Sequence, residues 1–317
     1  MTPAAVVILS VIGIVALILV CLVLYAALKQ WQVQRQVPPR GAFVTVPTGR
    51  VHYLSCGSGP EIVMIHGLGG QLGNFDTGLI DNLARDHRVT AIDRPGMGYS
   101  ERPAGTPTNV LAQADQIMGI IDALGIERPL IVGHSLGGAI AMAMAIRHGS
   151  RIRGLALLAP LTMPIDEIPE AFAGLAIRND LLRRVIGWTF AVPTMVRRPE
   201  PMIELVFGPE AIPPSYPIRG GGLLELRPRH FIQASRDFVA SGDDLPAMQR
   251  AYHELTVPVR ILYGTEDRIL DPDLHGTQLV TRFPQIGLEL ADGGHMLPVT
   301  RPDVCATFVR RASQAMK

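Results

Sequence analysis

Five short apolar runs, punctuated by glycine and proline, set the narrowest limit on what this chain can become. They are Ile62 to Ile65, Val89 to Ile92, Leu130 to Val132, Leu155 to Leu158 and Val259 to Tyr263. Strands covered on both faces read as short continuous apolar runs rather than as alternating patterns, so these are expected to be buried parallel strands. Longer stretches with the spacing of amphipathic helices lie between them, as in Val110 to Leu124 and Ala139 to His148. Strands alternating with helices give an α/β class with a mostly parallel central sheet flanked by helices. Ahead of this series, Ala42 to Val46 and Arg50 to Ser55 alternate in character around Pro47-Thr48-Gly49, the pattern of a β-hairpin.

The regular spacing fails between Leu161 and about Leu255, where proline-rich and amphipathic segments carry Trp188, Phe190, Phe207 and Phe231. About ninety residues exceed what one crossover needs, so an inserted, mainly helical lid is expected. The N-terminus is set apart too. From Ala4 to Leu28 no residue is charged; a helix over this run covers about 37 Å at 1.5 Å per residue, enough for a ~30 Å hydrocarbon layer. No basic residue precedes the run and no small-x-small cleavage site precedes Lys29, which favours a retained anchor over a signal peptide. Tyr25 and Trp31 suit the membrane interface, and Lys29, Arg35 and Arg40 after the run place the catalytic domain on the cytoplasmic side. Gln30 to Gly41 is polar and holds Pro38-Pro39, so a short stiff linker, not a continued helix, is expected there. The resulting division is 1–30 anchor, 31–41 linker, 42–160 first part of the core, 161–255 lid and 256–317 second part of the core.

Charge and cysteine usage exclude several classes. With 29 Lys plus Arg against 28 Asp plus Glu, no long-range field recruits nucleic acid, and a neutral or small-molecule substrate is expected. Cys21, Cys56 and Cys305 are odd in number and far apart, so neither a disulfide framework nor a zinc site is indicated. No organic cofactor or metal is expected, since no H-x-x-x-H or Cys/His cluster occurs. Oligomeric state is not readable from the sequence.

Chemistry concentrates in Gly133-His134-Ser135-Leu136-Gly137, which follows the run Leu130 to Val132 and precedes Gly138 to Ala143, a good helix former. Strand, sharp turn and helix in that order push a serine out at the strand end, and the flanking glycines relieve crowding between strand and helix. With this context the chain resembles the α/β-hydrolase superfamily, over essentially all of Phe43 to Phe308. The resemblance implies a chain order of serine, acid, histidine. Asp267 is the expected acid, in Gly264-Thr265-Glu266-Asp267 beyond the strand Val259 to Tyr263; Glu266, Asp271 and Asp273 are its local rivals. After the earlier strand Leu155 to Leu158 the first carboxylate is Asp166, too far along to serve. Of nine histidines only His275 and His295 follow Asp267, and His295 in Asp292-Gly293-Gly294-His295 is the expected base. The resemblance also places backbone oxyanion donors at Leu136 and at Leu68 in His66-Gly67-Leu68-Gly69-Gly70. His66 is expected to be structural. So are Asp93, Arg94 and Ser100 of Asp93-Arg94-Pro95-Gly96-Met97-Gly98-Tyr99-Ser100, which resembles a D-x-P-G-x-G-x-S turn of the family.

Many reactions share this triad, so it names no substrate. Haloalkane dehalogenases and epoxide hydrolases of the superfamily carry Asp where this chain has Ser135, which disfavours their chemistry. Phe190, Met195, Val196, Met202, Leu205, Val206 and Phe207 in the lid, with the membrane anchor, favour an ester or lipid substrate. A carbon–carbon bond hydrolase acting on a β-diketone-like substrate is the alternative, with Arg183, Arg184, Arg197 and Arg198 as carboxylate-binding candidates. A membrane protein that only binds a ligand in the hydrolase pocket is the third reading.

Overall fold

The computed structural model describes residues 2–165 and 169–316; Asp166 lies outside the described residues. Eight strands form one sheet: β1 (Ala42–Val46), β2 (Gly49–Cys56), β3 (Glu61–Ile65), β4 (Arg88–Ile92), β5 (Leu130–His134), β6 (Gly154–Leu158), β7 (Val259–Gly264) and β8 (Ile286–Ala291). Their spatial order is β1-β2-β4-β3-β5-β6-β7-β8. The β1–β2 hairpin closes at the Val46–Gly49 pair, β2 runs antiparallel to β4, and β3 to β8 are parallel throughout. Each run expected to be a strand is one, with ends within two residues of the expected positions.

Successive residues of a strand point to opposite faces, and here both faces are covered. Val63, Ile65, Ile131 and Leu157 enter one apolar cluster, while Ile62, Met64, Val132 and Leu158 enter another on the opposite side. No polar face remains, which is why these strands read as unbroken apolar runs.

The helices are α1 (Pro3–Gln36), α2 (Leu79–Leu83), α3 (Val110–Ala123), α4 (Leu136–His148), α5 (Asp180–Ile186), α6 (Val192–Arg197), α7 (Glu200–Phe207), α8 (Pro228–Ser241), α9 (Leu245–Ala251), α10 (Gln278–Arg282), α11 (Leu297–Thr300) and α12 (Pro302–Ala315). In α3 the buried Val110, Gln113, Ala114, Ile117 and Ile121 fall on one stripe, as an amphipathic helix requires. Helix α4 departs from the expected amphipathic pattern, because every residue from Leu136 to Ala145 is buried. Its glycines and alanines let it lie between the sheet and α3 with no polar side until Arg147.

Two features of the N-terminal and β6–β7 regions bear on the site. Helix α1 continues to Gln36 instead of stopping near Gln30. The chain from Trp31 to Gln36 has no proline or glycine to break it, and Gln and Arg are good helix formers; Pro38 then forces Val37 out of helical geometry. From Val6 to Leu28 its large apolar side chains are mostly exposed, and it is long and apolar enough to cross a membrane. Its later part packs against a π-helical turn at Gly187–Ala191, against α6 and against a short 3-10 helix at Gly222–Leu226, with Ala26 and Val33 buried. Between β6 and β7 the described residues contain α5 to α9 and short helical turns, and no strand.

Candidate active site

The order of the parallel strands positions the site. From β3 the chain steps to β4 on one side and returns to β5 on the other. The loops leaving β3 and β5 therefore diverge and leave a crevice at the C-terminal edge of the sheet, where α/β proteins bind ligands. The 66–70 loop leaves β3 and Ser135 leaves β5 at this crevice; Asp267 follows β7 and His295 follows β8 on the same edge.

Ser135 has φ of 54°, in the left-handed region that a non-glycine residue rarely occupies. Such a conformation costs about 1–3 kcal/mol and persists only where the surroundings enforce it. They do so here through close approach. A Cβ on Gly137 would lie 2.1 Å from the Ile65 carbonyl oxygen, and one on Gly133 would lie 2.5 Å from the Gly137 carbonyl oxygen. The Ser135 N–H donates to the Leu158 carbonyl at 3.1 Å, tying the bend to β6.

Asp267 and His295 are joined, with Nδ1 of the imidazole 2.7 Å from Oδ2 of the carboxylate. The other carboxylate oxygen accepts from the backbone amides of Ile269 and Leu270 at 2.8 and 3.0 Å. Burial pushes this carboxyl upward, but His295 and the two amides outweigh it and hold Asp267 below the usual carboxylate range. The rivals Glu266, Asp271 and Asp273 are exposed. His275 is buried, and its Nδ1 accepts from the amides of Thr162 and Met163 at 3.3 and 3.2 Å, so it braces the chain after β6.

His134 fastens the His295 loop to the Ser135 bend. Its Nε2 donates to the His295 carbonyl at 3.1 Å, and the two rings lie 4.9 Å apart. Burial, then the neighbouring His295, pushes the His134 imidazole down to about 3, so it stays neutral and can serve as this donor without adding charge. Among the described residues the Ser135 hydroxyl makes no hydrogen bond, so the carboxylate–imidazole contact is formed and an imidazole–hydroxyl contact is not. Such bonds often tighten only with substrate bound.

The amides of Leu68 and Leu136 likewise have no acceptor among the described residues. The loop carrying Leu68 is held from below by Arg94, fully buried, which donates to the carbonyls of His66 and Gly67 at 3.0 and 2.8 Å. His66 accepts the Arg94 amide on Nε2 at 3.0 Å and donates from Nδ1 to the Gly67 carbonyl at 2.9 Å, so both its nitrogens are committed to structure. Asp93 receives the Leu72 and Tyr99 amides at 2.7 and 2.8 Å and meets His52 Nδ1 at 2.7 Å. Ser100 donates to the Asp93 carbonyl at 2.7 Å.

Sequence reading did not reach Asp237. It lies fully buried on α8 between Arg94 and Arg102, at 2.7 and 2.8 Å, linking the helical segment to the 66–70 loop through Arg94. A signal for it exists in α8, where His230, Gln233 and Asp237 fall on the buried stripe. Polar residues at helical spacing on a buried face mark a network rather than a core.

A family model described as alpha/beta hydrolase fold matches residues 60–302. The 2-hydroxymuconate semialdehyde hydrolase of Pseudomonas sp. (strain CF600) is 40% identical over 129 residues, 39% of this chain and 46% of that enzyme. This chain thus spans less than half the length of that relative. Haloalkane dehalogenase 2 of Mycobacterium tuberculosis (strain ATCC 25618 / H37Rv) is 27% identical over 272 residues, covering 83% of this chain and 91% of that one. Among solved structures, a membrane phospholipase A described as a bacterial virulence factor superposes with a TM-score of 0.64 at 22% identity, covering 99% of this chain and 97% of that one. At that identity the likeness is one of fold. The matched family model, covering most of the chain, and the sheet-edge geometry lead to one conclusion: the chain belongs to the α/β-hydrolase fold family and is a hydrolase.

Proposed function

We propose that the protein is a membrane-anchored serine hydrolase that cleaves a carboxylic ester, a lipid or other acyl ester, through an acyl-enzyme on Ser135. The observation that carries this is the Asp267–His295 pair at 2.7 Å, fastened through His134 to the bend that presents Ser135. A serine hydroxyl is a poor nucleophile at neutral pH. His295 Nε2 takes its proton as Oγ bonds to the carbonyl carbon, and the amides of Leu68 and Leu136 receive the developing oxyanion. The same proton passes to the leaving alkoxide as the carbon–oxygen bond breaks. Water, deprotonated by His295, then adds to the acyl carbon, and the same proton goes to Ser135 Oγ as its bond to the acyl group breaks and the acid leaves. Asp267 fixes the tautomer throughout and stays ionised.

Helix α1 supplies the anchor in this reading, with the catalytic domain on the cytoplasmic side, and the segment between β6 and β7 is the lid. Phe190 and Val196 of that segment are exposed, whereas Phe207 is buried against Tyr216, Met296 and Val299, next to the base. A purified protein that takes up a fluorophosphonate probe on Ser135, and loses the label in Ser135→Ala, supports the reading. Absence of label in the wild type removes it.

A carbon–carbon bond hydrolase is the second reading, favoured by the local 40% identity to a semialdehyde hydrolase. Against it, Arg183 is already spent on Ser235, Asp180 and the Ile177 carbonyl, and Arg184 on Asp180. Rates for a series of esters beside a diketone substrate, with Ser135→Ala as blank, separate the two.

A further inference from the structure

His230 is buried beside the site and unspent. It is the third residue of α8, 7% exposed, and its Nδ1 is buried without a hydrogen-bond partner. The charged groups around it are otherwise engaged. Arg227 donates to the carbonyls of Leu224 and Gly98, and Asp237 is ion-paired with Arg94 and Arg102, its Oδ1 lying 2.8 Å from Arg102 without a hydrogen bond of its own. The other edge of the ring faces the oxyanion loop, where a Cβ on Gly69 would lie 3.4 Å from Nε2. A buried imidazole without a partner is costly, so such a group in a native fold calls for an explanation.

Position decides which part of a substrate it meets. Gly69 directly follows Leu68, the proposed oxyanion donor on the β3 side of Ser135. His295 comes from β8, on the opposite side of β5, and must face the leaving oxygen. A group beside Gly69 therefore meets the acyl part, close to the carbonyl. Burial, then Arg227, pushes His230 down to about 3, so the ring is neutral, with one nitrogen able to donate and the other to accept.

We propose that His230 hydrogen-bonds an oxygen substituent on the acyl chain near the scissile carbonyl, so that the enzyme selects oxo- or hydroxy-acyl esters over unsubstituted alkanoyl esters of the same length. The proposal rests on the Ser135 reading above. One well-formed neutral hydrogen bond corresponds to a preference of about tenfold.

The test compares kcat/KM for a 3-oxoacyl and a 3-hydroxyacyl ester with that for the plain acyl ester, in the wild type, His230→Leu and His230→Gln. Thermal melting of each variant checks folding, and fluorophosphonate labelling counts active sites independently of acyl preference. Support consists of about a tenfold wild-type preference for an oxygenated ester that vanishes in His230→Leu while the plain ester is still cleaved. Should His230→Leu not fold, His230→Gln, which keeps a donor and an acceptor, must retain part of the preference. Equal rates for all three esters in the wild type overturn the proposal, as does a loss in His230→Leu that is the same for all three. Unlabelled wild-type protein would remove the hydrolase reading and this inference with it; labelled protein without the preference removes only the inference.

Discussion

The loops at the sheet edge and the helices between β6 and β7 solve different problems with the same twenty side chains. At the edge, the backbone itself is pinned. The Ser135 bend is fixed by the Leu158 carbonyl and by glycines that admit no Cβ, and the 66–70 loop by a buried arginine bonded to two of its carbonyls. In the β6–β7 segment apolar side chains face outward instead: Leu181 is 72% exposed and Phe190 52%. The edge holds positions that chemistry needs within fractions of an ångström. The helical segment offers a surface whose composition can vary without disturbing the bend.

Substitutions can break that contrast. Ser135→Ala is expected to lower kcat by on the order of 10⁶-fold with the melting temperature unchanged, the loss typical of a serine triad without its nucleophile. Asp267→Asn should cost about 10⁴-fold in kcat through the wrong imidazole tautomer, read in the same ester assay. If either variant keeps wild-type turnover, the edge is not the reacting centre.

Asp237→Asn tests where the two regions meet. It leaves Arg94 and Arg102 buried without their shared carboxylate and should cost about 3–5 kcal/mol in denaturant unfolding. The 66–70 loop, the proposed source of an oxyanion donor, should loosen with it, lowering kcat more than KM rises.

The pH dependence of stability sharpens the contrast by sign. His134, His230 and His275 are pushed down to about 3, 3 and 4, burial being the first cause in each. Their contribution is complete above the unfolded value of 6.5 and is lost as pH falls toward those folded values. Glu225, buried and accepting from Tyr216 at 2.9 Å, is pushed up to about 7, so it opposes them: its contribution is complete below 4.5 and is lost as pH rises toward 7. Burial, then Arg94, pushes the fully buried His66 well down too, so four histidines against one glutamate make melting temperature fall on acidification from pH 6.5 to 4.5. Glu225→Gln should raise stability at neutral pH and steepen that fall. The smallest effect is expected at the exposed apolar face, where Leu181→Ser, at a position 72% exposed, should change unfolding free energy by no more than about 0.5 kcal/mol. A larger change would mean that this face packs on something within the protein.

The sheet was legible because burial on both faces writes itself as runs such as Ile62 to Ile65, and the Ser135 bend because its glycines answer to contacts one can anticipate. Asp267 and His295 were reachable only through chain order. Their meeting depends on β7 and β8 lying side by side, which no local spacing encodes. Asp237 and His230 were not reached, since the arginines that pair with Asp237 and the loop that His230 faces lie more than 100 residues away, and a polar residue in a helix looks the same whether it faces solvent or a buried neighbour. The end of α1 was misjudged because polarity was read as a stop, whereas only Pro38 removes helical geometry.

That unbroken helix has a mechanical consequence. A post that leaves the apolar stretch without a joint, and whose upper turns are wedged against Gly187–Ala191, α6 and Gly222–Leu226, does not act as a leash. In the membrane-anchored reading proposed above, it sets the height and heading of the crevice relative to the bilayer surface, so inserting a flexible spacer after Gln36 should free the body to tumble while leaving its turnover of soluble substrates intact.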